Sequence, residues 1–143
     1  MSYRRSLNIN EQLYFVNSVF KHRDAIQVLV KFVSSSHLGG VAALKEGIAL
    51  VSNTHKIHSR RIRGSKLYLS KNSDIHIKVH NRDTEPAPRD PLFNEPVKDS
   101  GTLIEHHIVV TKTNLFLLVK SHHVLMDGAA YVQYLKDIFK AIR

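Results

Sequence analysis

The run Leu115-Phe116-Leu117-Leu118-Val119 constrains this chain more than any other stretch. It has no polar face, and a strand apolar on both sides has to be buried on both. Directly after it come His122-His123-Val124-Leu125-Met126-Asp127-Gly128, and then Ala129 to Phe139, which reads as a helix. Two histidines, an aspartate and a glycine are thus compressed into the turn between two core elements. Turns carried on rigid scaffolds are where catalytic groups tend to sit.

The pattern is HHxxxDG. It resembles the motif of the chloramphenicol acetyltransferase-like superfamily, which includes the condensation domains of nonribosomal peptide synthetases and the carnitine-type and alcohol O-acyltransferases. Moving an acyl group from a thioester to an amine or hydroxyl requires a base for the nucleophile's proton. Imidazole, with an ordinary pKa of about 6.5, is suited to that task. Neighbouring strand residues point to opposite faces, so His122 and His123 cannot both serve one site. The resemblance implies that His123 is the general base and that His122 is directed inward as support. It further implies that Asp127 is a structural acid pairing with an arginine, and that Gly128 permits close approach of the backbone. The acyl thioester, on phosphopantetheine or coenzyme A, is then the substrate, and no bound cofactor is expected.

Composition narrows the alternatives. A chain of 143 residues with 43% hydrophobic residues is long enough for a core and is expected to form a single domain, residues 1–143. It contains no cysteine, which excludes disulfides, thiolate metal sites and a cysteine nucleophile. The start, Met1-Ser2-Tyr3-Arg4-Arg5-Ser6, does not read as a signal sequence, and no apolar run is long enough to span a bilayer. A cytoplasmic protein is expected. Lys and Arg number 21 against 12 Asp and Glu, for a net charge of +9. Such a surface attracts polyanions or acidic proteins. Nucleic acid is disfavoured as partner, because no finger, RNP-like or zipper motif accompanies the charge. An acidic acyl-carrier protein or the phosphates of coenzyme A satisfy the same charge.

Along the chain, Leu7 to Phe15 reads as a short helix capped by Asn10, with apolar residues at 13, 16 and 20. Ile26 to Val33 reads as a strand, followed by a turn at Ser34 to Ser36. Leu38 to Ser52 reads as a helix with the stripe Val41, Leu44, Ile48 and Val51, Gly39-Gly40 lying ahead of its start. Gly47 inside it costs about 1 kcal/mol against alanine. His55 and His58 have a metal-compatible spacing but lack a third ligand nearby, and read as solvated. Arg60, Arg61, Arg63 and Lys66 form the densest basic patch, a candidate docking surface for an acidic partner. Lys66 to Ser70 and Ile75 to Val79 read as a hairpin about Lys71 to Asp74. Residues 81–101 hold all four prolines and read as a long crossing loop; Asp90 to Pro96 is similar to a family phrase leading into the central strands. Thr102 to Thr111 and Asn114 to His122 read as two strands, the first carrying His106 and His107 on opposite faces. The last helix places Tyr131, Tyr134, Leu135, Ile138 and Ile142 on one side.

The resulting order is α, β, α, β, β, β, β, α. It is consistent with one half of the superfamily's fold, and the resemblance implies a two-layer α/β sandwich with a mixed, mostly antiparallel sheet. In the superfamily two such halves enclose a substrate tunnel, so this chain is expected to be the N-terminal half alone. Two functions compete. One is an acyltransferase or condensation half whose missing wall comes from a C-terminal half or from homo-oligomerisation. The other is an inactive subdomain that binds a carrier protein or another partner.

Overall fold

The computed structural model describes residues 12–16, 25–32, 37–63, 66–70, 74–95, 103–122 and 128–142. Its main sheet has five strands in the order β1-β2-β7-β6-β5. These are β1 (Gln12–Val16), β2 (Ala25–Phe32), β5 (Ile77–Asn81), β6 (Ile104–Val110) and β7 (Leu115–His122). A separate two-stranded ribbon joins β3 (Arg60–Arg63) to β4 (Lys66–Leu69). All pairings are antiparallel except β5 with β6, so the sheet is mixed and mostly antiparallel, as expected.

The apolar run forms the centre of this arrangement. β7 lies between β2 and β6, and residues 115–121 are all buried. Alternation sends Leu115, Leu117 and Val119 to one face and Phe116 and Leu118 to the other. On the first face lie α1 (His37–His55) and α3 (Gly128–Ala141), with Leu44, Ile48, Tyr131, Leu135 and Ile138 closing the main core. The expected apolar stripe of α1 holds: Leu44, Ile48 and Val51 are buried, with Val41 packed against them. On the second face Leu29, Val109, Phe116 and Leu118 meet Phe93 of a one-turn helix, α2 (Pro91–Asn94). Its start is fixed locally: the Asp90 side chain accepts from the Leu92 N–H, and Pro91 takes the first helical position. The described part of the crossing segment is therefore pinned to the sheet through Phe93.

Several expectations are corrected. Gln12–Val16 is a strand, not part of a helix; Leu13-Tyr14-Phe15-Val16 is rich in aromatic and branched residues and pairs with β2 along its whole length. The proposed cap Asn10 and the turn at 34–36 lie outside the described residues. Gly39 and Gly40 belong to α1 instead of preceding it. The hairpin is β3–β4, with only Gly64 and Ser65 between Arg63 and its partner Lys66, and a two-residue link of that kind favours local pairing. With β4 so engaged, β5 pairs instead with β6, in parallel.

Candidate functional site

The HHxxxDG motif spans the junction of β7 and α3. His122 ends β7, its backbone N–H donating to the Leu103 carbonyl at 2.7 Å. Its side chain is half-buried, not buried as expected, at the last described pair of β7 with β2, opposite Ala25. Gly128 opens α3. His123 and Asp127 lie outside the described residues, so their assigned roles of base and structural acid rest on the sequence.

The basic patch is distributed over the ribbon. Arg60, Arg61 and Arg63 lie on β3 and Lys66 opens β4. Arg60 is half-buried and borders a groove of about 280 Å³ shared with His55, Ile57, Gln133, Tyr134 and Asp137. The side chains of Arg61, Arg63 and Lys66 lie outside the described residues. The two histidines read as solvated divide. His55 is exposed and within 3.5 Å of Asp137. His58 is buried, because Lys56 in the left-handed region (φ 54°) turns the chain after α1 and tucks Ile57 and His58 inward.

The pair on β6 carries more chemistry than its sequence context suggested. His106 faces the helices and is fully buried. Its Nδ1–H donates to the His76 carbonyl at 2.8 Å, and its Nε2 accepts from the Tyr134 hydroxyl at 2.7 Å. Tyr134 in turn meets Ser52 Oγ at 2.9 Å. Burial pushes the His106 pKa down to about 4 and that of Tyr134 up to about 12, so this polar chain is neutral at physiological pH.

His107 faces the other way. Its Nε2–H donates to Glu105 Oε1 at 3.1 Å, and its Nδ1 meets His80 Nε2 at 3.0 Å. The rings of His80 and His107 stack with centroids 5.3 Å apart, and His76 lies 5.5 Å from His107. Burial pushes the Glu105 carboxyl up, but the hydrogen bond and charge of His107 outweigh it and hold the group below its ordinary value. Burial, then His107, lowers the pKa of His80. Lys120, opposite Glu105 in register, is buried and donates to the Glu95 carbonyl at 2.6 Å. Burial lowers its pKa, with Glu105 and Glu95 opposing. Sequence reasoning missed this cluster, because it depends on the parallel register of β5 on β6.

No protein-family model and no curated protein matches the chain. Solved structures do. The starter condensation domain of the rhizomide synthetase RzmA superposes with a TM-score of 0.65 at 12% identity, over 83% of this chain and 31% of that one. The X-domain from teicoplanin biosynthesis gives 0.68 at 14%, over 83% and 27%. F. sporotrichioides TRI101, solved with coenzyme A and T-2, gives 0.61 at 16%, over 84% and 34%. At these identities the likeness is one of fold. The chain has the fold of part of the condensation-domain and chloramphenicol acetyltransferase-like architecture, and spans about a third of the length of the solved proteins it matches.

Proposed function

We propose that this chain supplies the base-bearing half of an acyl-transfer site, in which His123 takes the proton from an amine or hydroxyl as it attacks an acyl thioester. The observation that carries the reading is the coincidence of motif and junction. HHxxxDG occupies the link between the central strand β7 and α3, in a fold shared with a starter condensation domain and with TRI101, solved with coenzyme A and T-2. In such a step the thioester carbon–sulfur bond breaks, an ester or amide bond forms, and the thiol leaves with the proton that His123 has carried. A donor on phosphopantetheine or coenzyme A suits the net charge of +9.

The reading includes a second wall that completes the site, from a C-terminal half or another copy. The second reading is a partner-binding subdomain without turnover, for which the basic ribbon is the candidate surface. The deciding measurement is thiol release and product mass from a panel of acyl-coenzyme A and acyl-carrier-protein donors with amine and alcohol acceptors. It is run on the chain alone and on the chain mixed with a matching C-terminal half. A general base contributes a factor of roughly 10² to 10⁴, and His123→Ala should remove about that much while the fold persists. Undiminished turnover in His123→Ala would sink the mechanism. Carrier-protein binding without turnover in every assembly would establish the second reading.

A further inference from the structure

We infer that His76, Glu105 and His107 form a binding site for a divalent transition-metal ion, zinc by the chemistry of its donors, on the sheet face opposite the helices. One donor atom from each of the three residues lies within 4.8 Å of the others. Tetrahedral zinc, with ligand bonds of about 2.0–2.2 Å, sets its donors about 3.4 Å apart. His107 Nε2 and Glu105 Oε1 are already 3.1 Å apart, so only His76 has to close in. Two imidazoles and one carboxylate suit zinc and its first-row neighbours, whereas calcium and magnesium prefer all-oxygen shells.

The fold assembles these donors from two strands. Period-two alternation puts Glu105 and His107 on one face of β6. The parallel register sets Ile77 against His106 and Lys78 against His107, which brings His76, just ahead of β5, alongside Glu105. The His106 backbone N–H, bonded to the His76 carbonyl at 3.0 Å, ties His76 in place. Two further observations point to a ligand. His76 Nδ1 is buried and makes no hydrogen bond, an arrangement that a protein seldom leaves uncompensated. His80 Nε2 stands 3.0 Å from His107 Nδ1, where it can accept a hydrogen bond once the His107 proton sits on Nδ1 and Nε2 is free for the ion. A ligating imidazole is usually oriented by such an outer partner. Binding then needs one exchange of protons: His107 gives up the proton on Nε2 and takes one at Nδ1 from His80, which is reprotonated at its own Nδ1. Lys120 donates to the Glu95 carbonyl, and its charge, which already acts on Glu105 across the register, is what the ion has to outcompete at the carboxylate. The Glu105 side chain keeps 20% of its surface exposed, leaving a route for the ion.

The test is calorimetric titration of chelator-treated full chain with Zn²⁺, and separately with Mg²⁺, on wild type, His76→Gln, Glu105→Gln and His80→Phe. Each variant is checked for folding by circular dichroism. A Co²⁺ absorption spectrum on wild type reports coordination geometry without any substitution. The site predicts one Zn²⁺ per chain, no comparable Mg²⁺ binding and an intense tetrahedral Co²⁺ spectrum. Loss of the outer partner in His80→Phe should weaken Zn²⁺ by about 10- to 100-fold, and loss of a direct ligand by at least as much. The inference is overturned if wild type takes up no Zn²⁺, if Co²⁺ stays octahedral, or if folded His76→Gln and Glu105→Gln bind Zn²⁺ as wild type does.

Discussion

His106 shows how a residue's neighbours determine what its chemistry can do. On an open strand end it would titrate near neutrality; sealed under α3, it donates to a backbone carbonyl and accepts from Tyr134. The folded chain holds this imidazole neutral down to about pH 4, whereas in the unfolded chain it takes up its proton near 6.5. Between those values the unfolded state binds more protons, so stability falls as pH drops through the window, by on the order of 3 kcal/mol from this group. Denaturant midpoints of metal-free protein from pH 7 to 4 should decline more steeply in wild type than in His106→Gln, which starts lower at pH 7. Equal slopes would contradict the assignment. Tyr134→Phe deprives His106 Nε2 and Ser52 Oγ of their shared partner, and should cost about 1–3 kcal/mol in chemical denaturation.

Among the elements, α1 and α3 meet where Gly47 lets them. A methyl added at Gly47 would sit 2.6 Å from Ile142 Cγ2, far inside contact distance. Helix propensity alone favours Gly47→Ala by about 1 kcal/mol. Overpacking typically costs 1–3 kcal/mol and should win, so the variant should be destabilised. Ile142→Ala removes the obstructing methyl, and the double variant should lose less than the two single losses together; strict additivity would mean that the helices part elsewhere. Elements were legible in the sequence where one pattern dominated: the stripe of α1, the two-sided run of β7 and the apolar side of α3. They were illegible where pairing decided. Gln12–Val16 carries residues compatible with helix or strand, and β2 supplies the ladder that decides it. Ile77–Asn81 was visible as a strand but not its partner, since a parallel pairing across residues 82–103 leaves no local sign. For the same reason the motif at 122–128 was readable as a contiguous phrase, while the cluster of His76, Glu105 and His107 was not.

At the scale of the whole molecule the two sheet faces differ. Two helices cover one; on the other, among the described residues, only α2 packs an apolar side chain deeply, through Phe93. Gln27 Nε2 donates to the Phe93 carbonyl at 2.9 Å, and Lys120 holds the next turn of chain through Glu95. Phe93→Ala should therefore cost about 3–5 kcal/mol in denaturant unfolding, much for so short an element. If the ribbon is a docking surface, replacing Arg60, Arg61 and Arg63 together with alanine should weaken capture of an acidic carrier protein and flatten its salt dependence, with little change in melting temperature. Unaltered affinity would exclude those arginines from the docking surface. The strand order has one further consequence, for synthesis. β2 pairs Phe32 with Leu115 and Val28 with Val119, so the strand that must cover its inner edge is made last among the sheet's five. While the ribosome works from residue 33 to residue 122, Val28, Leu29, Val30 and Phe32 can pair with β1 on one edge but wait for β7 on the other. A nascent chain in that condition is a client for chaperones that shield apolar strands, and its dependence on them should end once β7 has emerged.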